Sequence, residues 1–73
     1  SLDGGHLKIE GSVGRYLGAG MTDGQIDVSG DVGRFVGEQM TGGLIHVMGR
    51  LGGLGTPNGG LIRHRKQLVF GAE

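Results

Sequence analysis

The sequence predicts an all-β solenoid, a chain wound into stacked coils. Three observations carry that prediction: an internal repeat with a period of 19 residues, a short alternating strand in each repeat, and glycines that recur in fixed columns. Glycine occupies 19 of 73 positions, while proline occurs once and aromatic residues make up only 4%. Collagen would place glycine at every third position, and a disordered linker would lack periodic apolar residues. Here Leu7 and Ile9, Ile26 and Val28, and Ile45 and Val47 sit two apart in three equivalent segments, which is the period of a half-buried strand.

The first repeat, residues 4–22, reads GGHLKIEGSVGRYLGAGMT, and the second, residues 23–41, reads DGQIDVSGDVGRFVGEQMT. The third, residues 42–58, reads GGLIHVMGRLGGLGTPN and is two residues shorter in its loop. A partial fourth, residues 59–65, carries the strand GLIRHR, and residues 66–73 supply a terminal strand or cap. Each full repeat opens with a five-residue strand, HLKIE, QIDVS or LIHVM, and returns through a glycine-punctuated segment with no helical signal. At the ~4.8 Å spacing of paired strands, Leu7, Ile26, Ile45 and Ile62 form one inward aliphatic ladder. Ile9, Val28 and Val47 form a second, and Val13, Val32 and Leu51 a third. Met21 and Met40 share a column in which the third repeat has Pro57, so Val36 and Met40 lack clear counterparts there.

The glycine columns run Gly5, Gly24 and Gly43 before the strand, Gly11, Gly30 and Gly49 after it, and Gly14, Gly33 and Gly52 three positions on. Gly18 and Gly37 repeat in the return segment. A coil that bends several times in 19 residues needs backbone conformations with positive φ, so these glycines are expected to turn its corners. A phosphate-cradling role fits less well. Gly18 and Gly20 are followed by Asp23, and Gly53 and Gly55 by Asn58, so no G-x-G-x-x-G is completed. Lys8 and Lys66 precede Ile9 and Gln67, so no P-loop lysine is present either.

The run GRYLGAGMTDGQIDVSGDVGRFVGEQMTGGLIHVMG resembles the glycine-rich β-helix module shared by three groups of proteins. These are the β-helical subunit of formylmethanofuran dehydrogenases, its counterpart in the formyltransferase/hydrolase complex, and the carboxy-terminal domain of the glutamate synthase large subunit. The matching pattern, G-x-x-G-x-x-x-G-x-x-M-x-x-G-x-I-x-V, is complete from Gly11 and again from Gly30, and the resemblance covers about residues 4–62. It implies a right-handed parallel β-helix of about three and a half coils. It further implies a module that has no catalytic residues and no cofactor, and that packs against catalytic subunits or domains or associates with itself through its ends. The missing initiator methionine and the small number of coils suggest a piece, or a trimmed relative, of a longer module.

Some residues offer more than coil formation. Arg15 and Arg34 share a column, and two guanidinium groups at the coil spacing could grip a carboxylate, a phosphate or a partner's acidic loop. The alternative is that each pairs with a nearby acid such as Asp31 or Glu38. Lys8, Asp27, His46 and Arg63 form an outward ladder in which Lys8 and Asp27 are oppositely charged neighbours. His46 beside Asp27 is the arrangement of a general base, but no serine, cysteine or metal ligand completes a catalytic set. His6 falls one column away and His64 falls in an inward column. The histidines and Asp23, Asp27 and Asp31 show no metal-ligand spacing, so no metal is expected. RHRK, comprising Arg63, His64, Arg65 and Lys66, could meet an acidic partner or could blunt the last strand as a solvated edge. QLVF beyond it is expected to cap the coil end or dock on a neighbour.

Seven basic residues balance seven acidic ones, which removes a general electrostatic case for nucleic acid or an anionic membrane. Cysteine is absent, so disulfides and thiolate metal sites are excluded and a reducing cytoplasm is the expected compartment.

Overall fold

Each repeat contributes one strand to a single sheet, because two inward aliphatic residues in four bury one face and leave the other polar. The computed structural model describes residues 5–71. Its strands are β1 (His6–Ile9), β2 (Gln25–Val28), β3 (Leu44–Val47), β4 (Leu61–His64) and β5 (Gln67–Phe70), in that spatial order. β1 to β4 pair in parallel and β5 returns antiparallel to β4. The chain is an all-β solenoid of about three turns, with no helix among the described residues.

The register follows the repeat. Leu7, Ile26, Ile45 and Ile62 lie in one column, and Ile9, Val28, Val47 and His64 in the next. On the return side Val13, Val32 and Leu51 bridge successive coils. The core consists of Leu17, Met21, Ile26, Val28, Val32, Val36, Met40, Ile45, Val47 and Ile62. Met21 and Met40 are fully buried; Met21 reaches beneath Gly43, which precedes β3, and Met40 beneath Gly60, which precedes β4. An unbranched thioether suits that irregular corner. Five strands at ~4.8 Å spacing stack to only ~19 Å, so the extents are nearly equal at 23 × 22 × 21 Å rather than those of a rod.

The structure departs from the sequence expectations first at the coil ends and in the third coil. Leu7 keeps its column but remains 46% exposed, because among the described residues no coil lies above β1. Val36 does have a counterpart, bridging to Leu54. Four positions separate Val32 from Val36 but only three separate Leu51 from Leu54, so one of the third coil's two deletions precedes Leu54. The backbone bonds Gly55 N–H to Val36 O and Asn58 N–H to Met40 O place the other between Gly55 and Pro57.

The glycine columns divide by physical cause. Gly18 and Gly37 take the expected left-handed conformation, at φ +71° and +72°. Gly30, Gly33, Gly49 and Gly52 do not; a Cβ at Gly30, Gly49 or Gly52 would run into the backbone of the preceding coil, and at Gly33 it would press against that backbone at 3.1 Å. At Gly52 the nearest atom would be the Gly33 carbonyl carbon at 2.8 Å. Some left-handed corners are occupied by other residues: Tyr16, Phe35, Gln39 and Arg65.

RHRK does not blunt an edge. β4 is paired on both sides, and Arg65–Lys66 form the two-residue connection of a β4–β5 hairpin with positive φ at Arg65 alone. β5 caps the last coil, turning Phe70 onto the core while Leu68 and Val69 stay part-exposed.

Candidate functional site

The coil return after the Gly14 and Gly33 columns carries an arginine and then an aromatic residue twice. Stacking puts Arg15 beside Arg34 and Tyr16 beside Phe35, with the Tyr16 N–H donating to Arg34 O at 3.0 Å. The rings are stacked, with centroids 5.0 Å apart and planes 11° from parallel. Both aromatics are exposed and left-handed, at φ +65° and +64°. A left-handed residue with a side chain costs about 1–2 kcal/mol, and an aromatic pair contributes about 0.5–1.5 kcal/mol beyond its buried area. The stack therefore offsets about one of the two strained backbones. The third coil lacks the aromatic position, so the column ends at Phe35. Sequence reasoning missed this pair, although Tyr16 and Phe35 stand one period apart in G-R-aromatic-aliphatic-G.

The acids proposed for Arg15 and Arg34 are engaged elsewhere. The Asp31 carboxylate accepts the Arg50 backbone N–H at 2.8 Å, and the Glu38 carboxylate accepts the Thr56 hydroxyl. Neither guanidinium has a hydrogen-bond or ion-pair partner among the described residues. Arg15 and Tyr16 rim a cleft of about 380 Å³ at the amino-terminal end, floored by Leu7, Val13, Leu17 and Ile26.

A second cluster lies on the outer face of the sheet. The expected Lys8–Asp27 pairing does not form, because Asp27 turns toward the neighbouring column. The His6 Nε2–H donates to Asp27 Oδ2 at 2.6 Å, and the Gln25 amide donates to both carboxylate oxygens at 3.2 Å. His46 approaches the other side, with Nδ1 3.7 Å from Oδ1. Its Nε2–H is given to the Arg65 carbonyl at 2.8 Å. A histidine base needs one nitrogen on the orienting acid and the other open to substrate, so His46 in this state lacks the second requirement. Among the described residues no group of three metal-binding side chains could hold an ion.

Partial burial pushes the Asp27 carboxyl up. The hydrogen bonds from His6 and Gln25, with the nearby imidazoles, outweigh that and leave it below its ordinary value of 3.8. A carboxyl lowered by folding stabilises above its unfolded value and loses that contribution as pH falls through the folded one. In urea titrations wild type is therefore expected to exceed Asp27→Asn by a constant margin above about pH 5, shrinking below about pH 4. A margin independent of pH down to about pH 2 would reject the contribution.

The hairpin carries the third cluster. The Arg65 Nε–H donates to Met48 O at 3.2 Å, and the His64 Nε2–H to Gly49 O at 2.6 Å. Arg63 stands in the outward column next to His46, and Lys66 is exposed. Among the described residues no helix is long and apolar enough to cross a membrane. No protein-family model, curated protein or solved structure matches the chain.

Proposed function

We propose that the chain is a scaffold module of a multi-subunit enzyme, without catalytic residues or cofactor of its own. The parent we favour is a formylmethanofuran dehydrogenase or formyltransferase/hydrolase complex in the cytoplasm. The observation that carries this reading is the amino-terminal end, over which no described residue lies. Leu7, at 46% exposure, continues a column whose other members Ile26, Ile45 and Ile62 are buried, and Tyr16, at 53%, stacks on Phe35 below it. An exposed apolar patch beside an unpaired strand edge is the surface that a partner covers. In this reading the hydrolytic and metal-pterin chemistry belongs to partner subunits, and the solenoid sets their spacing.

A glutamate synthase type of module, orienting amidotransferase and synthase domains, uses the same surface and differs only in partner. A stand-alone anion-binding module is favoured by one separate observation, the guanidinium groups of Arg15 and Arg34, which have no partner among the described residues. A pull-down of the tagged chain from its native extract at low salt, read by mass spectrometry, separates the three. Amidohydrolase-like and metal-pterin subunits are the expected recovery. Amidotransferase and flavin domains would indicate the glutamate synthase type. Recovery of nothing with a folded monomer would remove the scaffold reading, and loss of anion binding on Arg15→Gln with Arg34→Gln would then support the third.

A further inference from the structure

The balanced net charge conceals a strong axial asymmetry. Asp3, Glu10, Asp23, Asp27, Asp31 and Glu38 all precede residue 39, and Glu73 is the only later acid. Residues 39–71 carry Arg50, Arg63, Arg65 and Lys66 with no aspartate or glutamate. Because the coils stack in sequence order, this division becomes a spatial one, with a basic carboxy-terminal end.

At that end lies a cavity of about 560 Å³ lined by Met48, His64, Arg65, Lys66 and Gln67. Its lining has two permanent cations, an imidazole and an amide, and no acid. Three features position these groups. The Nε–H of Arg65 is held on Met48 O, which leaves both terminal nitrogens of its fork available. The Arg65 backbone is pinned by its N–H on Val47 O and by its carbonyl, which accepts from His46. The His64 ring is anchored on Gly49 O. Met48, half-exposed, gives one apolar wall. A left-handed arginine at a hairpin turn is a costly choice where glycine or asparagine would serve. Anchored cations with no carboxylate among the described lining residues form a receptor for a phosphate-type anion, which an arginine fork binds with two parallel hydrogen bonds.

We propose that the cavity at the β4–β5 turn binds the phosphate group of a small soluble organic phosphate, with Arg65 and Lys66 as its charged ligands and Met48 against its apolar part. This site is separate from the Arg15 and Arg34 column, which is on the coil return and contributes nothing to the cavity lining.

The test is a calorimetric and NMR titration of the whole chain with inorganic pyrophosphate and with a sugar phosphate at low ionic strength. Amide shifts are expected to concentrate at residues 64–67, and the affinity to fall as salt is raised. Arg65→Asn with Lys66→Gln keeps a residue that tolerates the left-handed turn while removing both charges. Since a charged hydrogen bond contributes about 1.5–3 kcal/mol, that variant is expected to bind at least about tenfold more weakly. Lys8→Gln with Arg50→Gln, which removes two exposed cations outside the cavity lining, is the control, with affinity expected within about twofold of wild type. Circular dichroism of both variants checks the fold. Absence of binding by wild type, or unchanged affinity in the folded hairpin variant, would overturn the proposal. So would equal losses in the two variants, which mark diffuse charge attraction. Pelleting with phosphoinositide vesicles while soluble phosphates leave the amides unmoved would assign the site to a lipid headgroup and overturn it as stated.

Discussion

Gly49→Ala is expected to unfold the chain, or to cost at least about 3 kcal/mol, while Gly14→Ala is expected to be close to neutral. Both residues belong to three-residue columns that look equivalent in the repeat, and neither has positive φ. They differ in what lies against them. A Cβ at Gly49 would enter the Gly30 carbonyl and come within 2.6 Å of Asp31 Oδ1. A backbone obstacle cannot rotate away, so relief requires lifting the third coil from the second. That would break the bonds from Gly49 N–H to Gly30 O at 3.1 Å, Met48 N–H to Val28 O at 2.9 Å and Arg50 N–H to Asp31 Oδ1 at 2.8 Å. At Gly14 an added methyl meets nothing within 4 Å, and the loss of unfolded-state freedom favours alanine slightly. Urea unfolding of the two variants decides the matter. Equal destabilisation would mean that these glycines serve backbone conformation rather than close approach.

Ile45→Ala is expected to cost about 3–4 kcal/mol, against less than about 1 kcal/mol for Leu7→Ala in the same column. Ile45 is fully buried between Ile26 and Ile62, and its Cδ1 fills the space left by the absent side chain of Gly18. Truncation removes the transfer energy of three carbons and leaves a void that rigid neighbouring coils cannot close. A domain of this size has about 5 kcal/mol of stability in total, so the variant should be largely unfolded at 37 °C. Leu7 is already half in water and has little to lose. Thermal melts followed at far-ultraviolet wavelengths provide the comparison. Similar losses at both positions would indicate that the amino-terminal end is covered in solution, as the scaffold reading requires of the assembled complex.

The coil register was readable because stacking repeats the same environment every 19 residues, and each column shows its constraint two or three times. That is how Ile26, Ile45 and Ile62, or Val13, Val32 and Leu51, could be aligned from the repeat alone. The third coil was harder. Its two deletions fall in different places, the first shown by the Val36–Leu54 bridge and the second by the backbone bonds of Gly55 and Asn58. The candidate sites were less legible. Asp27 and His46 share a column, yet Asp27 bonds His6 of the adjacent one, a choice made by rotamers that periodicity does not encode.

From the sequence by itself came the period, the strand positions, the inward ladders and the columns where glycine recurs, since each depends on patterns repeated along the chain. The tertiary structure alone decided why each glycine is needed, which acids are consumed by backbone donors, and that QLVF reverses direction to cap the last coil. It also gathered Met48, His64, Arg65 and Lys66 around one cavity. Those outcomes depend on which atoms meet across coils. Such contacts join residues about one 19-residue period apart, and a one-dimensional pattern records spacing without recording approach.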